Sequence, residues 1–306
     1  MSAKIKKTTK EAEGFKGMKR KTVNQYLKEK FGVKVYKLAL DGGMTCPNRD
    51  GSLGNKGCIF CSSGGSGEFA EKYSTDIFAQ IERAKTRVEA KNKGGKYIAY
   101  FQSFTNTYAP IDYLKKIYLG ALSHPDVVGL AIATRPDCLG DEVIALIKEI
   151  NKIKPVWIEL GLQTADDSVG QYIRRGFNTS VFTDAVKRLK AANIETVAHI
   201  IIGLPNDNPI ETARFVSSLG VDGVKFHLLH ILKGTDLEAE YLKGNISVLS
   251  LEEYTKILKN CLLALDQKII IHRLTGDGDK RLLVAPLWSS DKKTVLNYIN
   301  KELEDI

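Results

Sequence analysis

Three cysteines, Cys46, Cys58 and Cys61, fall within sixteen positions in the stretch TCPNRDGSLGNKGCIFC (45–61). Thiolates are soft metal ligands, and a C-x2-C pair preceded by a Pro-, Asn-, Asp- and Gly-rich loop can wrap a bulky group. A structural zinc takes four protein ligands, usually as two close pairs. Here the fourth is missing, because Cys138 and Cys261 are solitary and distant and no His precedes His124. An iron–sulfur cubane held by three thiolates leaves one iron open to a substrate or cofactor, which matches the count. On the loop alone a structural metal site stays open as the alternative, since C-x11-C-x2-C is only moderately specific.

Such a loop needs a rigid element on each side. Continuous Val/Ile/Leu-rich runs predict strands at 35–43, 96–102, 127–135, 156–164, 196–205 and 223–232. Helical periodicity falls between them, near 74–92, 111–123, 140–153, 180–193 and 207–219. Asp141 and Ser180 are candidate helix starts, and Gly94, Gly120 and Gly220 lie near ends. About six strand–helix units imply a parallel α/β sheet, either a curved partial barrel or an open doubly wound one. From 240 onward the rhythm changes: an amphipathic helix near 250–265, then IIIHRLTGDGDKR, APLWSSDKK and a final helix. This tail reads as an extension that closes or flanks the sheet.

At 306 residues and 43% hydrophobic content the chain can bury a full core. No apolar run is long enough for a membrane span, and the N-terminus shows no export-type apolar segment, so a cytoplasmic protein with no membrane partner is expected. Five unevenly spaced cysteines do not make a disulfide framework. The net charge of +9 is localised: residues 1–37 carry 12 Lys/Arg against 3 acids, and the remainder balances at 33 of each. A polyphosphate partner and a solvated Lys-rich tail both account for such an arm.

The chain resembles the radical SAM superfamily, in particular the YhcC/YtqA (MnmL)-type branch related to the catalytic subunit of Elongator. The resemblance spans roughly residues 20–290. It is carried by the cysteine stretch and by YFQSFTNTYAP (100–110), IATRPDCL (132–139), IELGLQTADD (158–167), RRGF (174–177), HIIIGLPND (199–207), HLLHILKGT (227–235) and HRLTGDG (272–278). All but the last lie at the C-terminal end of a predicted strand, where α/β barrels carry their sites. The resemblance implies a partial TIM-like (β/α)6 barrel of the radical SAM type over 31–240, with a basic arm at 1–30 and a C-terminal extension, 241–306, packed on the barrel. It implies a 4Fe-4S cluster on Cys46, Cys58 and Cys61, S-adenosyl-L-methionine chelated at the open iron, and an electron donor such as flavodoxin or ferredoxin. The oligomeric state stays unassigned.

Site roles follow from the same match. Phe60 looks like the aromatic beside the adenine. Gln102 and Ser103 stand where many relatives grip the methionine amino group with a GGE-like stretch, from which this chain departs; GGSGE at 64–68 comes too early and reads as a turn. Ala133 replaces a Glu common in related families, leaving Thr134 and Arg135 as neighbouring candidates. Gln163 matches a ribose-binding Gln, and Arg175 an Arg that pairs with the methionine carboxylate. His199 and Gly203 are further cofactor candidates, toward ribose and adenine. Asn106, Thr107, Tyr108, His227, His230 and Lys233 are candidate substrate contacts, although strand alternation puts His227 and His230 on opposite faces unless the strand bends.

Kinship with Elongator implies transfer RNA as substrate, although no RNA-reading module stands out. Members of the branch are linked to the wobble uridine, where 5-carboxymethylaminomethyl-(2-thio)uridine becomes the 5-aminomethyl form. The implied reaction removes hydrogen from the methylene beside the carboxylate by a 5′-deoxyadenosyl radical, and hydrolysis then releases the two-carbon unit. Two alternatives remain. One is an Elongator-like addition to uridine, for which the tail is too short to supply an acetyltransferase domain; the other is an RNA-binding protein whose cysteine loop is a metal clip.

Overall fold

The computed structural model describes residues 19–306, so most of the basic arm lies outside the described residues. The elements are α1 (Val23–Phe31), β1 (Val35–Leu40), α2 (Ile77–Thr86), β2 (Lys96–Phe101), α3 (Ile111–Ser123), β3 (Val127–Thr134), α4 (Asp141–Ile153), β4 (Val156–Gln163), α5 (Asp167–Tyr172), α6 (Thr179–Ala191) and β5 (Glu195–Ile202). They continue with α7 (Pro209–Leu219), β6 (Gly223–Leu228), β7 (Ile231–Leu232), α8 (Asp236–Leu242), α9 (Leu251–Ala264), β8 (Ile270–Arg273), β9 (Leu283–Ala285) and α10 (Lys292–Glu302).

Seven strands form one parallel sheet in the order β1-β2-β3-β4-β5-β6-β8. The sheet curls into a half-barrel: Lys37 on the first strand reaches Glu159 on the fourth, and its Nζ lies 3.5 Å from His272 Nδ1 on the last. Alternation assigns the two faces. Leu38, Leu40, Phe101, Leu130, Ile132, Leu160, Ile200 and Phe226 pack outward against α2, α3, α4, α6, α7 and α9 as the main apolar core. The inner face begins with Val35, Ile98, Ala131 and Trp157, which α1 covers with Leu27, Val23, Tyr26 and Phe31. A capping box on Thr22 starts α1, and Gly32 ends it in the left-handed region. Glu195 on β5 anchors it by accepting from Tyr26 Oη at 2.6 Å, Lys30 Nζ at 2.6 Å and Trp157 Nε1 at 2.7 Å.

Two expectations shift. Within the expected arm, residues 19–30 are structural: the buried Arg20 guanidinium donates to the carbonyls of Leu265 and Asp266, and Ile271 N–H donates to the Lys21 carbonyl at 3.0 Å. The tail after 240, expected to pack on the barrel, also supplies a seventh strand, β8, to its sheet. Helix punctuation is also partly displaced. Gly220 caps α7 at φ 67°, whereas Gly120 lies inside α3, and α4 and α6 start from Gly140 and Asn178. Among the described residues no helix is long and apolar enough to cross a membrane.

Candidate active site

The loop after β1 folds on its own backbone. Arg49 N–H donates to the Cys46 carbonyl at 2.8 Å, Gly57 N–H to Asn48 O at 2.7 Å and Cys61 N–H to Cys58 O at 3.0 Å. Asn48 ties the loop to the segment after α5, donating to Arg174 O at 2.7 Å and approaching Cys58 Sγ at 3.7 Å. Cys46, Cys58 and Cys61 thereby open onto one cavity of about 1540 Å³. Burial and the neighbouring Cys61 charge push the Cys58 thiol up to about 12, and burial raises Cys61 as well. Thiols held this way ionise when a metal takes the place of the proton. Among the described residues no three His, Cys, Asp or Glu side chains converge on a single ion. Three thiols on the wall of one roomy cavity are a donor set that fits an iron–sulfur cluster.

The other rim loops bring some expected residues to this cavity and leave others out. Phe60, Gln102, Thr134, Arg135, Gln163, Arg175, His199, His227 and His230 line it. Gln163 ends β4 at φ 66°, next to a register shift between Gly161 and Gln163. Arg135 grips Asp137 through two nitrogens, at 3.0 and 2.7 Å, and donates to Arg175 O at 2.8 Å. The Arg175 guanidinium is turned to its own surroundings: Phe177 O at 2.9 Å, Leu162 O at 3.0 Å, Thr164 O at 2.5 Å and Asp167 Oδ1 at 2.7 Å.

Ser103, Asn106, Thr107, Tyr108, Lys233 and Gly203 are not brought to the cavity wall. Asn106 Nδ2 donates to Ala133 O at 3.0 Å, Thr107 Oγ1 meets Thr134 Oγ1 and Cys138 O at 2.6 Å each, and Tyr108 Oη meets Ser52 Oγ at 2.8 Å. These groups knit loop to loop. Lys233 is exposed, and Gly203, at φ 104°, passes beneath Leu249 and Leu229. His227 and His230 do share the cavity, because β6 ends at Leu228 and the chain turns before His230. The loop after β8 covers both: Gly276 and Gly278 sit so close to the two imidazoles that a side chain at either would press on them. HRLTGDG is therefore a rim loop like the others.

Deeper in the same cavity lies a charged layer that the residue reading did not single out. Glu159 is fully buried and accepts from Lys37 Nζ at 2.5 Å, Lys225 Nζ at 2.6 Å and His199 Nε2 at 2.8 Å. Lys225 Nζ also donates to Tyr100 Oη at 2.9 Å. Burial alone would raise the Glu159 carboxyl, but Lys225 and Lys37 outweigh it and hold the group well below the usual range. Burial draws the Lys225 ammonium down to about 7 despite Glu159, and brings His199 to about 4. The signal was a lone charge inside each apolar run: VYKLAL, VWIELGLQ and GVKFHL.

Curled sheet, trio of cysteines and rim loops make a half-barrel whose open end can hold an iron–sulfur cluster. The profile of the Radical SAM superfamily matches residues 51–219 and that of the Radical_SAM C-terminal domain residues 221–305. The chain belongs to the radical SAM superfamily, on its YhcC/YtqA branch, and its cofactors are the 4Fe-4S cluster and S-adenosylmethionine. It is 45% identical over 287 residues to YtqA of Bacillus subtilis, covering 93% of this chain and 89% of that protein. A tRNA uridine(34) acetyltransferase of Dehalococcoides mccartyi is 29% identical over 127 residues, 38% of this chain and 26% of that one. The fold is shared with the archaeal Elp3 of Methanocaldococcus infernus, with a TM-score of 0.63 at 17% identity, covering 88% of this chain and 63% of that chain.

Proposed function

We propose that this radical SAM enzyme acts on transfer RNA, converting 5-carboxymethylaminomethyl-(2-thio)uridine at the wobble position into the 5-aminomethyl form. Three observations support the substrate class: the likeness to a tRNA uridine(34) acetyltransferase, the fold shared with Elp3, and the excess of basic residues in the first 37. The single observation that carries the reaction is one cavity shared by the three thiols and by the cationic layer around Glu159.

Cys46, Cys58 and Cys61 would hold the cluster, and Phe60, Gln102, Thr134, Arg135 and Gln163 would form the wall against S-adenosylmethionine, with Arg175 bracing the loops behind them. When bound, the pair supplies a 5′-deoxyadenosyl radical, fed by a one-electron donor such as flavodoxin or ferredoxin. The methylene between amine and carboxylate loses a hydrogen atom to that radical, then a proton to water and an electron to an oxidised one-electron carrier of the flavodoxin or ferredoxin class, giving a C=N bond. Water adds to that bond and the C–N link breaks, leaving the aminomethyl group on the base and glyoxylate as the other product. The chain's own part is to hold the methylene in reach and keep bulk water from the wall.

Mass spectrometry of tRNA nucleosides after anaerobic incubation with the reconstituted protein, reductant and S-adenosylmethionine tests this. Expected is loss of the carboxymethylaminomethyl nucleoside with matching gain of the aminomethyl one and of 5′-deoxyadenosine. Unchanged nucleosides beside steady 5′-deoxyadenosine formation would overturn the substrate.

A further inference from the structure

The charged layer is out of balance. Two cationic side chains, Lys37 and Lys225, share the one carboxylate of Glu159 on the inner face of the sheet, and a third, Arg273, lines the same cavity. Arg273 is the register neighbour of Lys225 on β8, and Lys225, His199 and His227 all feel its charge. His199, His227 and His272 are drawn down by burial and stay neutral, so they neither add to nor cancel this excess. Of the acids farther along the cavity, Asp277 pairs with Lys292 at 2.5 Å and Asp279 with Arg281 at 2.6 Å, while Glu68 accepts from Ser62 Oγ beside Cys61. Uncompensated positive charge away from water is costly, and a bound anion relieves it.

The hydrogen-bond tally points the same way. His227 Nε2 and His230 Nε2 are buried and have no partner, and both rings line the cavity beside this layer. Lys37 also keeps Nζ protons after serving Glu159 and approaching His272 Nδ1 at 3.5 Å, and Lys225 keeps one after Glu159 and Tyr100; these need acceptors.

We propose that Lys37 and Lys225, paired with Glu159 inside the half-barrel, together with Arg273 on the neighbouring strand and flanked by His227 and His230, seat the carboxylate of the substrate's carboxymethyl group. The inference rests on the reaction proposed above and assigns the group that the chain recognises in it. Glu159 is a positioning residue that holds the two ammonium groups at a fixed spacing. A backbone phosphate shares the anion chemistry, but this layer sits at mid-strand depth, where a substituent on one base reaches more readily than a polymer backbone.

The test uses the reconstituted full chain, S-adenosylmethionine and no reductant, so that nothing turns over. Affinities are measured for two anticodon stem-loop RNAs that differ only in carrying 5-carboxymethylaminomethyl- or 5-aminomethyluridine at the wobble position. The wild type is expected to favour the carboxylate by about tenfold or more, as a charge-assisted contact would. Arg273→Gln, and the charge-balanced pair Glu159→Gln with Lys225→Met, bring that ratio close to one with cluster absorbance retained. A wild-type ratio near one, or a ratio unchanged in both variants, overturns the seat. Equal weakening for both RNAs also overturns it, and marks a phosphate there instead. Conversion of the nucleoside by a wild type that shows no preference sinks the seat alone. A clear, variant-sensitive preference without conversion sinks the reaction alone.

Discussion

The rim and the interior of the half-barrel are built by different means. At the rim, loops hold one another through backbone groups and short polar side chains, as in the Asn48, Asn106 and Thr107 contacts. In the interior, strands bring long charged side chains together across large sequence separations, 122 residues for Lys37 with Glu159 and 66 for Glu159 with Lys225. The difference teaches a division of labour. On the proposed reading, the rim supplies the chemistry shared across the superfamily, and the inward faces of strands decide what is presented to it.

The largest effect expected is at the rim. Cys46→Ala, Cys58→Ala or Cys61→Ala abolishes the brown cluster absorbance and brings 5′-deoxyadenosine formation to background, with far-UV circular dichroism unchanged. A variant that retained both would break the assignment of three ligands. In the interior the leading effect is on stability. Glu159→Ala leaves the buried Lys225 ammonium and the partly buried Lys37 ammonium without their anion, and loss of one partner of a buried pair costs ~3–5 kcal/mol. Urea unfolding reads this as a lower midpoint; an unchanged midpoint would mean that water compensates the layer.

Acid–base behaviour sharpens the contrast. Lys225 faces Glu159, Lys37, Tyr100, His199, His227, His272 and Arg273, and burial draws its ammonium down to about 7. The cation is present below that value and is lost as pH rises through it. KM for the carboxymethyl substrate is therefore expected to climb as pH rises through about 7, and Lys225→Met flattens the profile. A KM that falls over this range would contradict the sign. The smallest effect belongs to the backbone: Gly203→Ala puts a side chain at φ 104° beneath Leu249, with an expected cost of ~1 kcal/mol and little change at the interior layer.

Legibility in the sequence followed the same divide. The cysteine trio, the parallel strands and most loops facing the cavity could be read because a turn-rich loop after an apolar run has few other uses. Asn106, Thr107 and Tyr108 looked like substrate contacts for the same reason, yet polar rim residues also serve to tie loops together, as they do here. Helix α1 was hidden by the Lys count around it, although Val23, Tyr26, Leu27 and Phe31 carry a helical apolar face. The interior layer was least visible. A single Lys or Glu in a strand signals burial only once its partner is known, and its partner lies two or three strands away.

The measurement that bears most directly on this division is the ratio of aminomethyl nucleoside formed to 5′-deoxyadenosine released, taken for Cys61→Ala and for Glu159→Gln combined with Lys225→Met. The account predicts that the cysteine variant loses both products, and that the interior variant keeps cleaving S-adenosylmethionine while its nucleoside yield collapses. Equal loss of both products in the interior variant with its cluster intact would contradict it.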